Sequence, residues 1–208
     1  MMGRKVSGGP QWPKLKPKAL TAKRLYGVHM LTMEGCLTPD EASKFIKAAE
    51  SIGFQHQGSR GAAYGEAFRD NDRITIQSPE LADHLWTQTG LRQVLTDVNI
   101  SGERAVGLNS NLRIYRYSKG QRFGRHVDDS VFVEKPRGET QYTLLLYLSS
   151  VVGGETIFYD DKNRKLASVA PQPGLALLHR HGDYCLDHEG AAVRDGVKYV
   201  LRSDVVFA

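Results

Sequence analysis

An α+β fold, with an antiparallel jelly roll braced by helices toward the N-terminus, is what this chain predicts, and three observations carry the prediction. Two segments in the first half place apolar residues at helical spacing. After Gly107 the period shortens. "NLRIYRY", "QYTLLLYL", "ETIFYD", "KLASVA", "GLALLH" and "VKYVLRSDVVF" follow as short runs, rich in β-branched and aromatic residues and separated by Gly, Pro, Asn or Asp. The length of 208 residues, 40% hydrophobic and 25% charged, suits one domain with a full core. Helices ahead of strands give the α+β order, and many short strands close a sandwich or barrel.

The first 27 residues read as a flexible basic tail. Arg4, Lys5, Lys14, Lys16, Lys18, Lys23 and Arg24 stand there with Pro10, Pro13 and Pro17, and no acidic residue occurs before Glu34. Such a composition buries little. A solvated tail, a nuclear-targeting or polyanion-contacting arm and an organelle transit peptide all fit it. The domain proper is 28–208, with helical support over 34–100 and the jelly-roll core over 107–208. In "CLTPDEASKFIKAAESIGF", Thr38 caps a helix, Pro39 fits its first turn and Glu41 completes a Thr-x-x-Glu box. Phe45, Ile46, Ala49 and Ile52 form its apolar stripe, and Gly53 ends it. "SPELADHLWTQTGLRQVLTDV" is a second helical region, broken at Gly90, with Leu81, Leu85, Leu91, Val94 and Leu95 as core positions. Between the two, the Gly-rich polar segment 55–73 reads as a long loop.

The formal net charge is +5, and most of the excess lies in the tail, so a nucleic-acid-binding body is weakly supported. The two cysteines, Cys36 and Cys185, form no CxxC pair, which argues against a disulfide framework or a thiolate zinc site. No apolar run approaches the ~20 residues of a membrane span. The expected setting is intracellular, cytoplasmic or nuclear, with an organelle left open.

Chemistry concentrates around "GRHVDDS". His126 and Asp128 project to the same side of an extended chain and can reach one ion. A third ligand would come from His179, His181 or His188. Two histidines and one carboxylate on one face of an octahedron suit non-haem Fe(II) with open positions. If 198–202 is a strand, Lys198 and Arg202 share a face, and a buried cation beside a metal calls for an anion.

"YSKGQRFGRHVDD" resembles the Y-x-x-G-x-x-F/Y-x-x-H-x-D block of the prolyl 4-hydroxylase-like Fe(II)/2-oxoglutarate-dependent dioxygenases. "TLLLYLSSVVGGETIF" is similar to that family's T-x-L-x-Y-L…G-G-E-T-x-F block, and "HEGAAVRDGVKY" to its distal H-x-G-x-x-V-x-x-G-x-K-W/Y block. The resemblance runs from about Leu112 to the C-terminus and selects His188 over His179 and His181. It implies a double-stranded β-helix (jelly-roll, cupin-like) core, with Fe(II) held by His126, Asp128 and His188. Lys198 would anchor the far carboxylate of 2-oxoglutarate, with Tyr117, Thr143 and Arg202 as further co-substrate residues. Arg202 departs from the family pattern, where a smaller polar residue is usual, and competes with Lys198 for the anchor role. The implied activity is hydroxylation of a peptidyl residue, proline favoured, coupled to conversion of 2-oxoglutarate and O2 to succinate and CO2, with ascorbate as reductant. The implied partner is a protein or peptide.

Other polar residues have plainer readings. His179, His181 and Tyr184 read as surface or packing residues, Glu155 as a turn residue at the barrel rim, and Arg125 and Asp129 as orienting or solvated groups. Arg113 faces the pocket or a strand-face ion pair, and residues 69–73 hold substrate or pin their loop. Substrate choice should lie in 55–73 and 129–140. Two alternatives stand: an oxygenase acting on nucleic acid or a small molecule, and a non-catalytic jelly-roll binding module. The basic tail favours the first, but no aromatic-studded basic face accompanies it. The intact ligand set with its cation weighs against the second.

Overall fold

The computed structural model describes residues 10–59 and 61–208. Along the chain come β1 (Lys23–Tyr26), β2 (Met30–Met33), α1 (Pro39–Ile52), β3 (Gln55–Gly58), β4 (Arg69–Gln77), α2 (Pro79–Gln88) and α3 (Leu91–Leu95). Next are β5 (Asn99–Ile100), β6 (Glu103–Leu108), β7 (Asn111–Tyr117), β8 (Arg122–His126), β9 (Phe132–Glu134) and β10 (Arg137–Tyr147). The chain ends with β11 (Val152–Gly153), β12 (Thr156–Tyr159), β13 (Lys165–Val169), β14 (Ala176–Arg180), β15 (His188–Gly190), β16 (Val193–Asp195) and β17 (Lys198–Phe207).

Most strands form one antiparallel sheet, whose main path runs β1-β2-β14-β10-β17-β7-β4-β8-β15-β12-β13. Strands β3, β5, β6 and β9 pair alongside it, while β11 and β16 pair separately. Strand β4 turns the corner, pairing β7 through Asp72–Gln77 and β8 through Arg69 and Asp70. The ladder folds over on itself there. Tyr115, Tyr147, Leu177 and Val200 from one half meet Phe123, Phe158 and Val169 from the other in one apolar cluster. This is the double-stranded β-helix that the sequence predicts.

Period-2 alternation divides the broad half into two faces. Leu144, Leu146, Leu178, Leu201, Leu112 and Ile114 point outward, into a core shared with Phe45, Leu85, Trp86 and Leu95 of the helices. Thr143, Leu145, His179, Arg202 and Tyr115 take the intervening positions on the same strands and face inward. The helices thus seal one side of the sheet, while the other combines an apolar lining with buried polar groups. Helix α1 carries the predicted capping box on Thr38 and Glu41 and stops at Gly53, φ 89°. Gly90, φ 80°, separates α2 from α3 as read. Ile52, read as core, is exposed at the end of α1.

Three expectations change. The tail reading covers residues 1–27; residues 1–9 lie outside the described residues, but beyond them the chain packs on the body. The Trp12 ring lies 5.7 Å from that of Phe45, Leu15 is buried, and Lys18 pairs with Glu41 at 2.9 Å. Strands β1 and β2 then extend the ladder beside β14. Apolar residues spaced through a basic stretch anchor it despite its composition. The loop read at 55–73 contains the β3–β4 pairing, where polar partners such as His56 and Asp72, 3.1 Å apart, face each other across strands. Strands therefore flank the helices rather than all following them. No helix among the described residues is long and apolar enough to cross a membrane.

Leu144→Ala should remove about 2–5 kcal/mol of stability, because the site is fully buried between sheet and helices. Urea denaturation measures this; a loss within error of zero would contradict the assigned face.

Candidate metal centre

On β8 and β15, His126 and His188 stand directly opposite each other, with ring centroids 4.2 Å apart. Asp128 follows β8 by two residues and folds in beneath them. His126 Nε2 lies 3.7 Å from Asp128 Oδ1, and His188 Nε2 lies 3.6 Å from Oδ2. One donor atom from each of the three lies within 4.8 Å of the others. Each imidazole donates its Nδ1–H to a backbone carbonyl, His126 to Gly124 at 2.8 Å and His188 to Leu186 at 2.9 Å. Those bonds commit each Nδ1 as a donor, so Nε2 is the nitrogen of each ring that faces the carboxylate and is available to a cation.

Asp128 is buried, and burial alone would raise its pKa. Arg202, His188 and His179 outweigh burial and hold the carboxyl well below the usual range. Arg202 Nη1 donates to Oδ1 at 2.8 Å, and Thr143 Oγ1 donates to Oδ2 at 2.8 Å. A hydrogen-bonded chain stands behind Thr143: the hydroxyl accepts from His181 Nδ1 at 3.1 Å, and His181 Nε2 accepts from Thr140 at 3.0 Å. Burial and the neighbouring His188 push His126 down to about 4. Burial opposes the charged form of His188 too, but its contact with Asp128 raises it to about 9. A cation entering the site would displace that proton.

Lys198 begins β17 opposite Tyr117. Its Nζ donates to Gly154 O at 2.8 Å and lies 5.2 Å from the Tyr117 ring centroid and 5.7 Å from that of Tyr147. Gly154 adopts φ +68°, a left-handed turn that aims its carbonyl at the amine. Burial lowers Lys198 to about 8, against the pull of Glu155. Gly154 O is the sole hydrogen-bond acceptor for Lys198 among the described residues, so two of three N–H donors remain free. One pocket joins His126, Asp128 and His188 to Lys198, with Tyr115, Tyr117 and Leu145 in its walls. It opens toward a groove carrying Arg69, Arg113 and Arg125.

The structure thus brings His126, Asp128, His188, Lys198 and Tyr117 together. Tyr117 sits in the wall, its hydroxyl accepting from Asn71 Nδ2 at 3.1 Å. Thr143 and Arg202, read as co-substrate residues, both bond to Asp128, and Arg202 also lines the pocket. Thr143 stands behind Asp128, its hydroxyl held between that carboxylate and His181, and Arg202 pairs with Asp128 and Asp204. Asn71 and Asp72 pin the 69–73 segment, Asp72 through Arg116 at 2.8 Å. Tyr184 is exposed, and His181 is a buried packing residue within the chain behind Asp128. His179, read as surface or packing, lies inside the pocket with Nε2 3.8 Å from Asp128 Oδ2. Its i, i+2 relation to His181 is the signal the sequence offers; its place in an inward row with Thr143 emerges only from the strand register.

Residues 112–203, a little under half of the chain, match the family model described as the 2OG-Fe(II) oxygenase superfamily. The resemblance to prolyl 4-hydroxylase-like 2-oxoglutarate oxygenases stands on this match and on the fold. No curated protein sequence matches the chain. Among solved structures, a viral collagen prolyl hydroxylase from Paramecium Bursaria Chlorella virus-1, in complex with 2OG, superposes with TM-score 0.61 at 19% identity, covering 88% of this chain and 97% of that one. A prolyl-4-hydroxylase of Pseudomonas putida gives 0.60 at 16%, covering 86% and 92%. A Trichoplax adhaerens prolyl hydroxylase, in complex with a hypoxia inducible factor peptide fragment, gives 0.60 at 15%, covering 86% and 83%.

Arg202→Met should leave Asp128 buried without its guanidinium and lower the stability of metal-free protein by roughly 3 kcal/mol. Thermal unfolding reads the loss, and Mn(II) should restore a large part of it by supplying charge at the same carboxylate. Unfolding of the variant that is indifferent to Mn(II) would contradict the electrostatic account.

Proposed function

We propose that the chain is an Fe(II)- and 2-oxoglutarate-dependent dioxygenase that hydroxylates a peptidyl residue, with proline favoured. The observation that carries this reading is the single pocket holding two imidazole Nε2 atoms and a carboxylate at one end and a buried ammonium at the other. The donor set fits Fe(II): three protein ligands of nitrogen and oxygen type suit a metal that must keep open positions. The free N–H groups of Lys198 fit a carboxylate at the pocket floor. Fe(II), with 2-oxoglutarate and O2, supplies the oxidising power for C–H hydroxylation, and 2-oxoglutarate leaves as succinate and CO2.

The chain's residues have separable tasks. His126, Asp128 and His188 hold the cation. Their carbonyl partners, with Thr143 and Arg202, fix the orientation of the rings and of the carboxylate. Lys198 fixes the far end of the co-substrate, while Arg202 holds Asp128. Tyr115, Tyr117, Leu145 and Val200 give the pocket an apolar wall that limits water. The prolyl hydroxylase neighbours, one of them holding a peptide, support a peptidyl substrate entering by the arginine-bearing groove. Ascorbate is the proposed reductant. The test is incubation with peptide libraries, Fe(II), ascorbate and 2-oxoglutarate, followed by mass spectrometry for products that gain one oxygen. If no peptide or protein extract stimulates 2-oxoglutarate consumption, the reading fails.

Lys198→Ala should raise the 2-oxoglutarate requirement by roughly ten- to hundredfold, the equivalent of one ionised hydrogen bond. His126→Ala should abolish turnover; steady-state kinetics separate the two outcomes.

A pH dependence follows from Lys198. Its pKa in the fold, about 8, lies below the ordinary lysine value of 10.5, because burial disfavours the charged form. The cation is therefore present below about pH 8 and lost above it. The half-saturating concentration of 2-oxoglutarate should rise as pH passes through that value, and a flat profile from about pH 7 to about pH 9 would contradict the anchor role.

A further inference from the structure

His179 is 2% exposed, and its Nε2 has no hydrogen-bond partner. Its Nδ1 is turned to the carbonyl of Arg180, at 3.3 Å, so the unpaired nitrogen carries a lone pair. Leaving such a group buried and unpaired costs free energy that a packing residue would avoid. The His188 ring lies 4.5 Å away, edge to face. Beside His188 stands Cys185, a free thiol. Its Sγ lies 3.9 Å from His188 Nδ1, accepts the backbone N–H of Asp128 at 3.2 Å and donates to the Leu186 carbonyl at 3.5 Å. One donor atom from each of His179, Cys185 and His188 lies within 4.8 Å of the others.

We propose that His179, Cys185 and His188 form a second metal position, for a thiophilic divalent cation such as Zn(II), Cd(II) or Co(II). Two imidazoles and a thiolate are a donor set such ions favour, and a water completes four-coordination. On binding, the Cys185 thiol gives its proton to solvent and the sulfur bonds the metal. The position shares His188 with the triad. A neutral imidazole offers one lone-pair nitrogen. A metal on Nδ1, 3.9 Å from Cys185 Sγ, replaces the bond to the Leu186 carbonyl and moves the ring proton to Nε2, the nitrogen the triad requires. The two positions exclude each other. Given the proposed function, a thiophilic cation in the second position inhibits by dismantling the first.

The test uses full-length protein, stripped of metal by chelation and desalted without oxygen, then titrated with Co(II). Near-ultraviolet sulfur-to-cobalt charge-transfer absorption is expected. It should disappear in Cys185→Ser and survive in His126→Ala, with circular dichroism confirming that each variant is folded. Cys36 is fully buried, so Cys36→Ala should keep the band. No band in folded wild type, a band that survives Cys185→Ser, or one lost in His126→Ala overturns the proposal, the last because the thiol would then serve the triad. A second arm needs no variant: Cd(II) should slow alkylation of Cys185 several-fold, read by mass spectrometry, and equal rates overturn the site. Neither readout involves turnover, so this inference and the proposed activity fail independently.

Discussion

Everything at the centre of this protein depends on keeping one carboxylate, that of Asp128, ionised inside an apolar barrel. A buried carboxylate is costly unless it is paired and hydrogen-bonded. Here Arg202 takes one oxygen and Thr143 the other. His126, His179 and His188 stand around it with Nε2 atoms 3.6 to 3.8 Å from its oxygens. Each contact that stabilises the anion also orients it. The hydroxyl of Thr143 is held by His181, and the guanidinium of Arg202 is steadied by Asp204 at 3.4 Å. The result is a rigid, electron-rich cavity built before any cation arrives, which is what a metal site requires of its surroundings.

The backbone makes this arrangement possible through register. Thr143, His179 and Asp204 occupy one row across β14, β10 and β17, while Leu145, Leu177 and Arg202 occupy the next. A shift of one residue in any of these strands would send the polar side chains into the helices and the leucines into the pocket. The helices α1 and α2 guard against that shift, because they accept only the apolar face. Fold stability and site chemistry are thus two faces of the same strands.

Legibility varied with how local the signal was. The α1 helix was plain, since capping box, proline and stripe all sit within one short segment. The His126–Asp128 pair could be located from i, i+2 spacing, but choosing His188 as its partner needed the motif resemblance. Nothing in composition reports which distant strand pairs with β8. Thr143 was found through its motif, yet its partner was not: a hydroxyl reads alike whether it meets a ligand or a carboxylate. His179 was passed over because a lone histidine in a strand looks like packing until its neighbours are known. The N-terminal stretch misled in the opposite sense. Charge and proline dominate it, but Trp12 and Leu15 decide where it lies.

The central claim is that His126, Asp128 and His188 converge on one cation while Lys198 holds the far end of a dicarboxylate. Crystallography of the protein with Mn(II) and 2-oxoglutarate, using anomalous scattering from the metal, tests it most directly. The account predicts an anomalous peak within bonding distance of both Nε2 atoms and an Asp128 oxygen, with 2-oxoglutarate density reaching Lys198 Nζ. A peak elsewhere, or density for the dicarboxylate that bypasses Lys198, would contradict it.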